Sequence, residues 1–264
     1  MSRPVLRHVH LSKPGSPVSY SDVARLQELL VRERLDFKRG SRTPTTTNHT
    51  HPPPPVILTM EFAPVYTFGR RQSLDSDTAR IISAISRAVP DAVTVFAERG
   101  GQTTFHGPGQ LVAYPVLDLV QFALTPRCYI RALENAAMTT LAEPPFEIPS
   151  KLTDDTGVWF ADLDETRKRK IASVGVHMRR NVTSHGIAIN CETDLTYFNH
   201  IIACGIPDAE ATSVKQLRES EWAAYGTNDD DGDRVHSFAS LFVHNLAKLL
   251  KADVVRASLP TPDA

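Results

Sequence analysis

The chain of 264 residues is poor in cysteine, and its three cysteines, Cys128, Cys191 and Cys204, include no C-x-x-C pair. A disulfide framework and a zinc site are therefore not expected, and a reducing compartment fits best. Charge of either sign is not in excess. The formal net charge of −1 gives no global reason to expect a nucleic-acid partner. No apolar run approaches the ~18–20 residues that cross a bilayer, so a membrane span is not expected. Neither the GxxxxGK[ST] phosphate loop nor a GxGxxG turn is present, and no nucleotide is implied. No histidine pair at i,i+4 with supporting carboxylates is found, so no metal is expected. Acid is missing before Asp22, where Arg3, Arg7 and Lys13 are basic. That bias permits a mitochondrial address, although Pro4, Pro14 and Pro17 break an amphipathic helix, and Val5 to Leu11 reads better as a first strand.

What is present suits a core-forming α/β chain, since apolar residues make up 41%. Val23, Leu26 and Leu30 predict a helix from Asp22 that ends before Gly40. Residues 38–55 hold five prolines, five threonines and no acid. Such a segment buries no side-chain face and is expected to be a disordered insertion. Short strands are predicted at Val56 to Leu58, Val65 to Phe68, Val93 to Ala97 (buried) and Leu111 to Leu117. Helices are marked by Ile81, Ile82 and Ile85, and by Ile130, Leu133, Ala137 and Leu141. Val158 to Phe160 and Ile171 to Met178 are expected to form a hairpin around the charged turn Asp162 to Lys170. His185 to Asn190 reads as a strand, and Phe238, Phe242, Leu246 and Leu249 stripe a last helix after an acidic loop at 228–233. Strands adjoin one another as often as they alternate with helices. The expected fold is α/β in the α+β sense, a mixed, largely antiparallel sheet flanked by helices.

The densest chemical signal is Arg99-Gly100-Gly101-Gln102-Thr103-Thr104-Phe105-His106-Gly107-Pro108-Gly109-Gln110. Glycine lets a ligand approach the backbone, so this is a ligand loop or, more blandly, a wide hairpin turn. Cys204 sits at a bend before Gly205, whereas Cys128 and Cys191 read as structural. Strict alternation would put Lys170 on one strand face with Ala172, Val174, Val176 and Met178, carrying its ammonium inward. A cation beside a thiol favours the thiolate, so Cys204 and Lys170 are a candidate nucleophile and proton carrier. A Cys–His dyad stays open, with His106 lining the site, His177 facing solvent and His185 nearby.

These motifs, with Pro64 to Gly69, Lys170 to Gly175, His185 to Asn190 and Ala203 to Gly205 in order, resemble the lipoyl(octanoyl) transferase family. The resemblance spans about Val56 to Val214. It implies the biotin/lipoate protein ligase-like fold, a single octanoyltransferase catalytic domain over residues 1–264, and ping-pong acyl transfer. Octanoyl would pass from the phosphopantetheine arm of acyl carrier protein to Cys204. It would then go to a lysine of a lipoyl-domain protein such as glycine cleavage H protein or a 2-oxoacid dehydrogenase E2. Lys170 matches the family's proton-shuttling lysine. Arg99, Gly100, Gly101, Gln102, Thr103, Thr104, Phe105 and His106, then Ser173, Val174 and Gly175, then Gly186, Ile187 and Ala188, match its substrate-binding segments. No cofactor, ATP or metal is implied, and a eukaryotic source would make the chain mitochondrial, a bacterial one cytoplasmic. Arg70-Arg71 and Arg179-Arg180 are candidate charges for docking an acidic carrier. Alternatives are an ATP-dependent lipoate or biotin ligase, an octanoyl amidotransferase, or a lipoyl-domain binder without turnover. The ligases use a GRGRRG-type loop and no cysteine, and the intact Cys204 and Lys170 speak against the binder.

Overall fold

The computed structural model describes residues 3–40, 51–164, 167–206, 208–226 and 233–258. In chain order these form β1 (Val5–His10), α1 (Tyr20–Arg39), β2 (Val56–Met60), β3 (Val65–Phe68), α2 (Ser76–Ala88), β4 (Val93–Phe96) and β5 (Thr104–His106). Next come β6 (Gln110–Val116), α3 (Pro126–Ala142), β7 (Ser150–Lys151), β8 (Val158–Phe160), β9 (Lys168–Arg179) and β10 (Val182–Asn190). Two 3-10 turns, Leu195–His200 and Ala203–Gly205, precede β11 (Ala209–Ala211), α4 (Val214–Leu217), α5 (Glu219–Ala224), α6 (Arg234–Leu249) and β12 (Asp253–Arg256).

The main sheet runs β12-β1-β2-β6-β10-β9-β8-β7, with β11 beside β9. The pairs β1/β12, β1/β2 and β9/β11 are parallel, and the others are antiparallel. Strand alternation divides its residues between two cores. Leu111, Ala113, Ile187 and Ile189 face α3 and α6, packing with Leu133, Phe238 and Phe242. Val112, Tyr114 and Ala188 face the other way, in the cluster that Val23 of α1 joins. A small second sheet, β4-β3-β5, packs its Tyr66, Phe68 and Phe105 against Ile85 of α2. The mixed, largely antiparallel sheet with flanking helices is the expected architecture.

Local chemistry explains the helix ends. Ser19 caps α1, and Gly40 closes it in the left-handed conformation that glycine adopts without penalty. Thr125 caps α3 just before Pro126, whose missing N–H costs nothing in a first turn.

Several expectations are corrected. Val93 to Phe96 is not a buried strand but the edge of the small sheet, leaving Val93 and Phe96 half exposed. Within 38–55, Lys38 and Arg39 complete α1, and the Lys38 ammonium is bound to Asp118 at 2.7 Å. Buried Arg34 donates to the Pro53 and Pro54 carbonyls, fixing the proline run against α1. Residues 41–50 of that segment lie outside the described residues, as do 228–232 of the acidic loop. Leu249 falls off its helix stripe and is half exposed, while Phe238, Phe242 and Leu246 are buried. Cys128 is exposed, not structural, whereas Cys191 is fully buried as expected.

Candidate active site

The cavity lies on the α1 face of the sheet, where β6, β10 and β9 run side by side. Val112, Ala188 and Ser173 stand opposite one another across the three strands, and Gly186 faces Gly175 one step along. This row of small side chains leaves a trough. At Gly186 a Cβ would collide with the Ala113 carbonyl, so the tight strand approach itself demands glycine. Tyr114, two residues beyond Val112, closes one end. Its ring joins those of Phe62, His106, Tyr20 and His185 in a continuous aromatic group with centroid separations of 5.3 to 6.0 Å.

Over the trough lies the glycine-rich loop, anchored by Arg99. Its buried guanidinium donates to the Thr67 carbonyl at 2.6 Å, to Thr67 Oγ1 and to the Gly100 carbonyl at 2.9 Å. Burial lowers the pKa of Arg99 from the usual arginine value, and the neighbouring Tyr114 and Cys204 oppose that shift. The Gly100 N–H binds the Val176 carbonyl at 3.0 Å, pinning the loop to β9. Gly101 and Gln102 line the cavity, and their N–H groups donate to no protein acceptor among the described residues.

Cys204 sits at φ 56°, ψ 13°, the left-handed conformation that a side-chain-bearing residue adopts only under constraint. Its N–H donates to the Thr103 carbonyl at 2.9 Å, which holds the turn and points the thiol into the cavity. The sulfur lies 3.7 Å from Ser173 Oγ. Lys170 lines the same cavity, and its Nζ lies 4.8 Å above the Trp159 ring. Among the described residues, no carboxylate is paired with that ammonium.

Lys170 reaches the cavity by a route that strict alternation does not give. Ala172 pairs with Val158 but Lys170 with Trp159, so Ile171 is an extra residue in β9. Ile171 and Ala172 consequently both enter the core under α3, together with Val174, Val176 and Met178. Lys170 is turned to the opposite, cavity-lining side with Ser173 and Gly175. A bulge that re-aims one side chain is the physical reason.

The cavity, about 360 Å³, is lined by thirteen of the residues picked from sequence: Arg99, Gly101, Gln102, Thr104, His106, Lys170, Ser173, Val174, Gly175, Gly186, Ile187, Ala188 and Cys204. Three stand outside it. Gly100 ties the loop down, Thr103 holds Cys204, and Phe105 turns into the cluster of Tyr66, Phe68 and Ile85. Sequence reasoning missed Val112, Tyr114 and the exposed pair Asp154 and Asp155, all of which line the cavity, and it named Arg71, which also lines it, only as a docking charge. It also missed Glu134 and Gly157. Glu134 is buried in α3, where its carboxylate accepts the Gly157 N–H at 2.8 Å, and Gly157 packs directly against the Lys170 stem. A glutamate beside Leu133, within a buried helical stripe, was the available clue.

The histidines do not form the alternative dyad. His106 lines the cavity as expected, but its Nδ1 is bound to Gln110 Oε1 at 2.7 Å, and burial pushes its pKa down to about 4. Burial likewise lowers His185 to about 3. His177 is half-buried rather than fully solvent-facing. Of the candidate docking charges, Arg179 is paired with Glu28 at 2.5 Å and Arg70 lies 3.8 Å from Glu98. No group of three or more His, Cys, Asp or Glu side chains among the described residues is placed to hold a metal ion. No helix among them is long and apolar enough to cross a membrane.

A profile of the lipoyl protein ligase A/B catalytic domain matches residues 41–225. The chain belongs to this family. A probable octanoyltransferase of Schizosaccharomyces pombe is 42% identical over 211 residues, covering 80% of this chain and 87% of the relative. The human octanoyl-[acyl-carrier-protein]:protein N-octanoyltransferase LIPT2, mitochondrial, is 36% identical and covers 82% of this chain and 85% of its own. Family membership thus extends to the octanoyltransferases. Among solved structures, a lipoate-protein ligase A bound with ATP superposes with a TM-score of 0.56 at 12% identity, covering 98% of this chain and 90% of that one. At that identity the likeness establishes the fold, that of lipoate-protein ligases.

Proposed function

We propose that Cys204 accepts an octanoyl group from a carrier-bound thioester and passes it to a lysine amine of a lipoyl-domain protein, with Lys170 moving the protons. Kinship makes the chain an acyltransferase of the octanoyl-transferring branch, acting in protein lipoylation. The observation that carries the mechanism is the Cys204 turn, which presents its sulfur to a cavity shared with Lys170 and Ser173.

In the first step the Cys204 thiolate attacks the thioester carbonyl carbon. The new C–S bond forms, the donor's C–S bond breaks, and the departing arm thiolate takes a proton from the Lys170 ammonium. In the second, the acceptor amine attacks the Cys204 thioester, an amide forms, and Cys204 leaves as thiolate. The proton lost by the amine returns to Lys170. Each step exchanges one acyl bond for another, so the cycle as written uses neither ATP nor metal. Charge developing on the carbonyl oxygen needs donors, which the free N–H groups of Gly101 and Gln102 supply.

The trough suits the acyl chain. Two strand spacings across and two residues along separate Ser173 from Tyr114 by roughly 12 Å. An extended octanoyl chain built from ~1.5 Å bonds spans about 9 Å, so it ends against the aromatic wall. Burying each methylene contributes ~0.8 kcal/mol. The exposed carboxylates of Asp154 and Asp155 favour the approach of an acceptor ammonium. Glycine cleavage H protein and 2-oxoacid dehydrogenase E2 are the acceptor class, and in a eukaryotic cell the compartment is the mitochondrion.

Intact-mass analysis after mixing with octanoyl-carrier protein tests this reading. Wild type is expected to gain one octanoyl group that hydroxylamine removes. The mechanism is wrong if no adduct forms, or if Cys204→Ala carries the same adduct. Turnover of free octanoate that depends on ATP would instead make the protein a ligase.

A further inference from the structure

We propose that a second hollow, on the other side of the Cys204 turn, binds the amide-bearing arm of the acyl donor, a pantetheine-type chain. This rests on the thioester reading above. The hollow, about 460 Å³, is lined by Gln72, Gln102, Asn199, Ile81, Ile201 and Ile202, among others. It meets the acyl cavity at Gln102 and Gly205, which border both. The Gln102 amide lies directly against the Gly205 Cα, where a Cβ would collide with it. A flexible side chain is therefore what stands between the two spaces, next to the nucleophile.

The polar groups of the hollow match such an arm. A pantetheine chain carries two secondary amides separated by apolar segments, and each amide needs partners when it leaves water. The side-chain amides of Gln102 and Asn199 have no hydrogen-bond partner among the described residues, and both are exposed. The Gln72 amide is bound to Thr103 at 2.7 Å, the residue whose carbonyl holds Cys204. Ile202 is 60% exposed in the same hollow, an apolar surface that an alkyl segment would cover.

The two spaces differ in their charged lining. Asp154 and Asp155 line the acyl cavity and not the hollow, which no carboxylate borders. The acyl cavity is also lined by Arg71, Arg99 and Lys170, whereas among the described residues no lysine or arginine lines the hollow, so a neutral amide-bearing segment buries no such charge there.

The test compares kcat/KM for acylation by octanoyl-pantetheine, which has two arm amides, and by octanoyl-N-acetylcysteamine, which has one. Wild type is expected to prefer pantetheine by about fivefold or more, the effect of one net hydrogen bond with its apolar neighbours. In Asn199→Trp, which fills the hollow at an exposed site, that preference should fall towards one. Ile202→Trp serves as a second blocking variant. Equal use of the two donors by wild type, or a preference that survives both substitutions in folded protein, overturns the arm site. Absence of acylation by either donor overturns the thioester reading beneath it.

Discussion

The carboxylate of Glu134, buried in the middle of α3, accepts the Gly157 N–H at 2.8 Å and thereby seats Gly157 against the stem of Lys170. Gly157 has φ 126°, and a Cβ there would lie 2.5 Å from Lys170 Cε. The pair forms a shelf that only glycine can complete.

Gly157→Ala is therefore expected to displace Lys170 and lower the single-turnover transfer rate at least tenfold in folded protein. Glu134→Ala leaves a buried N–H unpaired and should lower stability by about 1–3 kcal/mol, read from urea unfolding. A folded Gly157→Ala enzyme with the wild-type rate would show that the shelf does not position Lys170.

Lys170→Met retains an apolar stem over Trp159 and removes the ammonium. Loss of a general acid–base group costs typically 10²–10⁴-fold in rate. Transfer should fall by that order while the melting temperature changes little. Rates within threefold of wild type would remove Lys170 from the proton path.

Tyr114 closes one end of the trough proposed to hold the acyl chain, so Tyr114→Ala should lengthen it. Competition among octanoyl, decanoyl and dodecanoyl donors, read as adduct mass, is expected to shift towards the longer chains. An unchanged preference would place the chain end elsewhere.

Acid should unfold the protein through its buried histidines. His8 and His106 are lowered to about 4 and His185 to about 3, burial being the first cause for each. The unfolded chain takes up these protons near pH 6.5, so stability is full above that pH. It falls as pH drops towards 4, by about 1.4 kcal/mol per pH unit per histidine. Urea midpoints at pH 7, 6 and 5 check this, and a flat profile would contradict neutral burial. His106→Gln should lessen the slope.

Patterns of short range were legible without a structure. Helix α1 and its Gly40 stop, the β8–β9 hairpin and the α6 stripe of Phe238, Phe242 and Leu246 all follow from periodicity and caps, which depend on neighbours a few residues away. The glycine-rich loop and the bend at Cys204-Gly205 stood out as local departures from core-forming sequence, whereas Ser173 to Gly175 and Gly186 to Ala188 were marked only by the family resemblance. The ordered motifs added the family, which no single spacing could.

Tertiary contacts decided the rest. Alternation put Lys170 with Ala172 and Val174, and the pairing of β9 with β8 reversed this by making Ile171 an extra residue. Arg179 read as a free docking charge until α1 brought Glu28 to it. Tyr114, Glu134 and Asp154 look like ordinary strand, helix and loop residues, and acquire a role only where distant segments meet. Composition, periodicity and ordered motifs thus determined the fold class, the candidate nucleophile and the glycine-rich loop over the cavity. Which way Lys170 points, where the trough ends and what seats the lysine were decided by the folded sheet. A one-residue shift between paired strands leaves no trace in the periodicity of either strand alone.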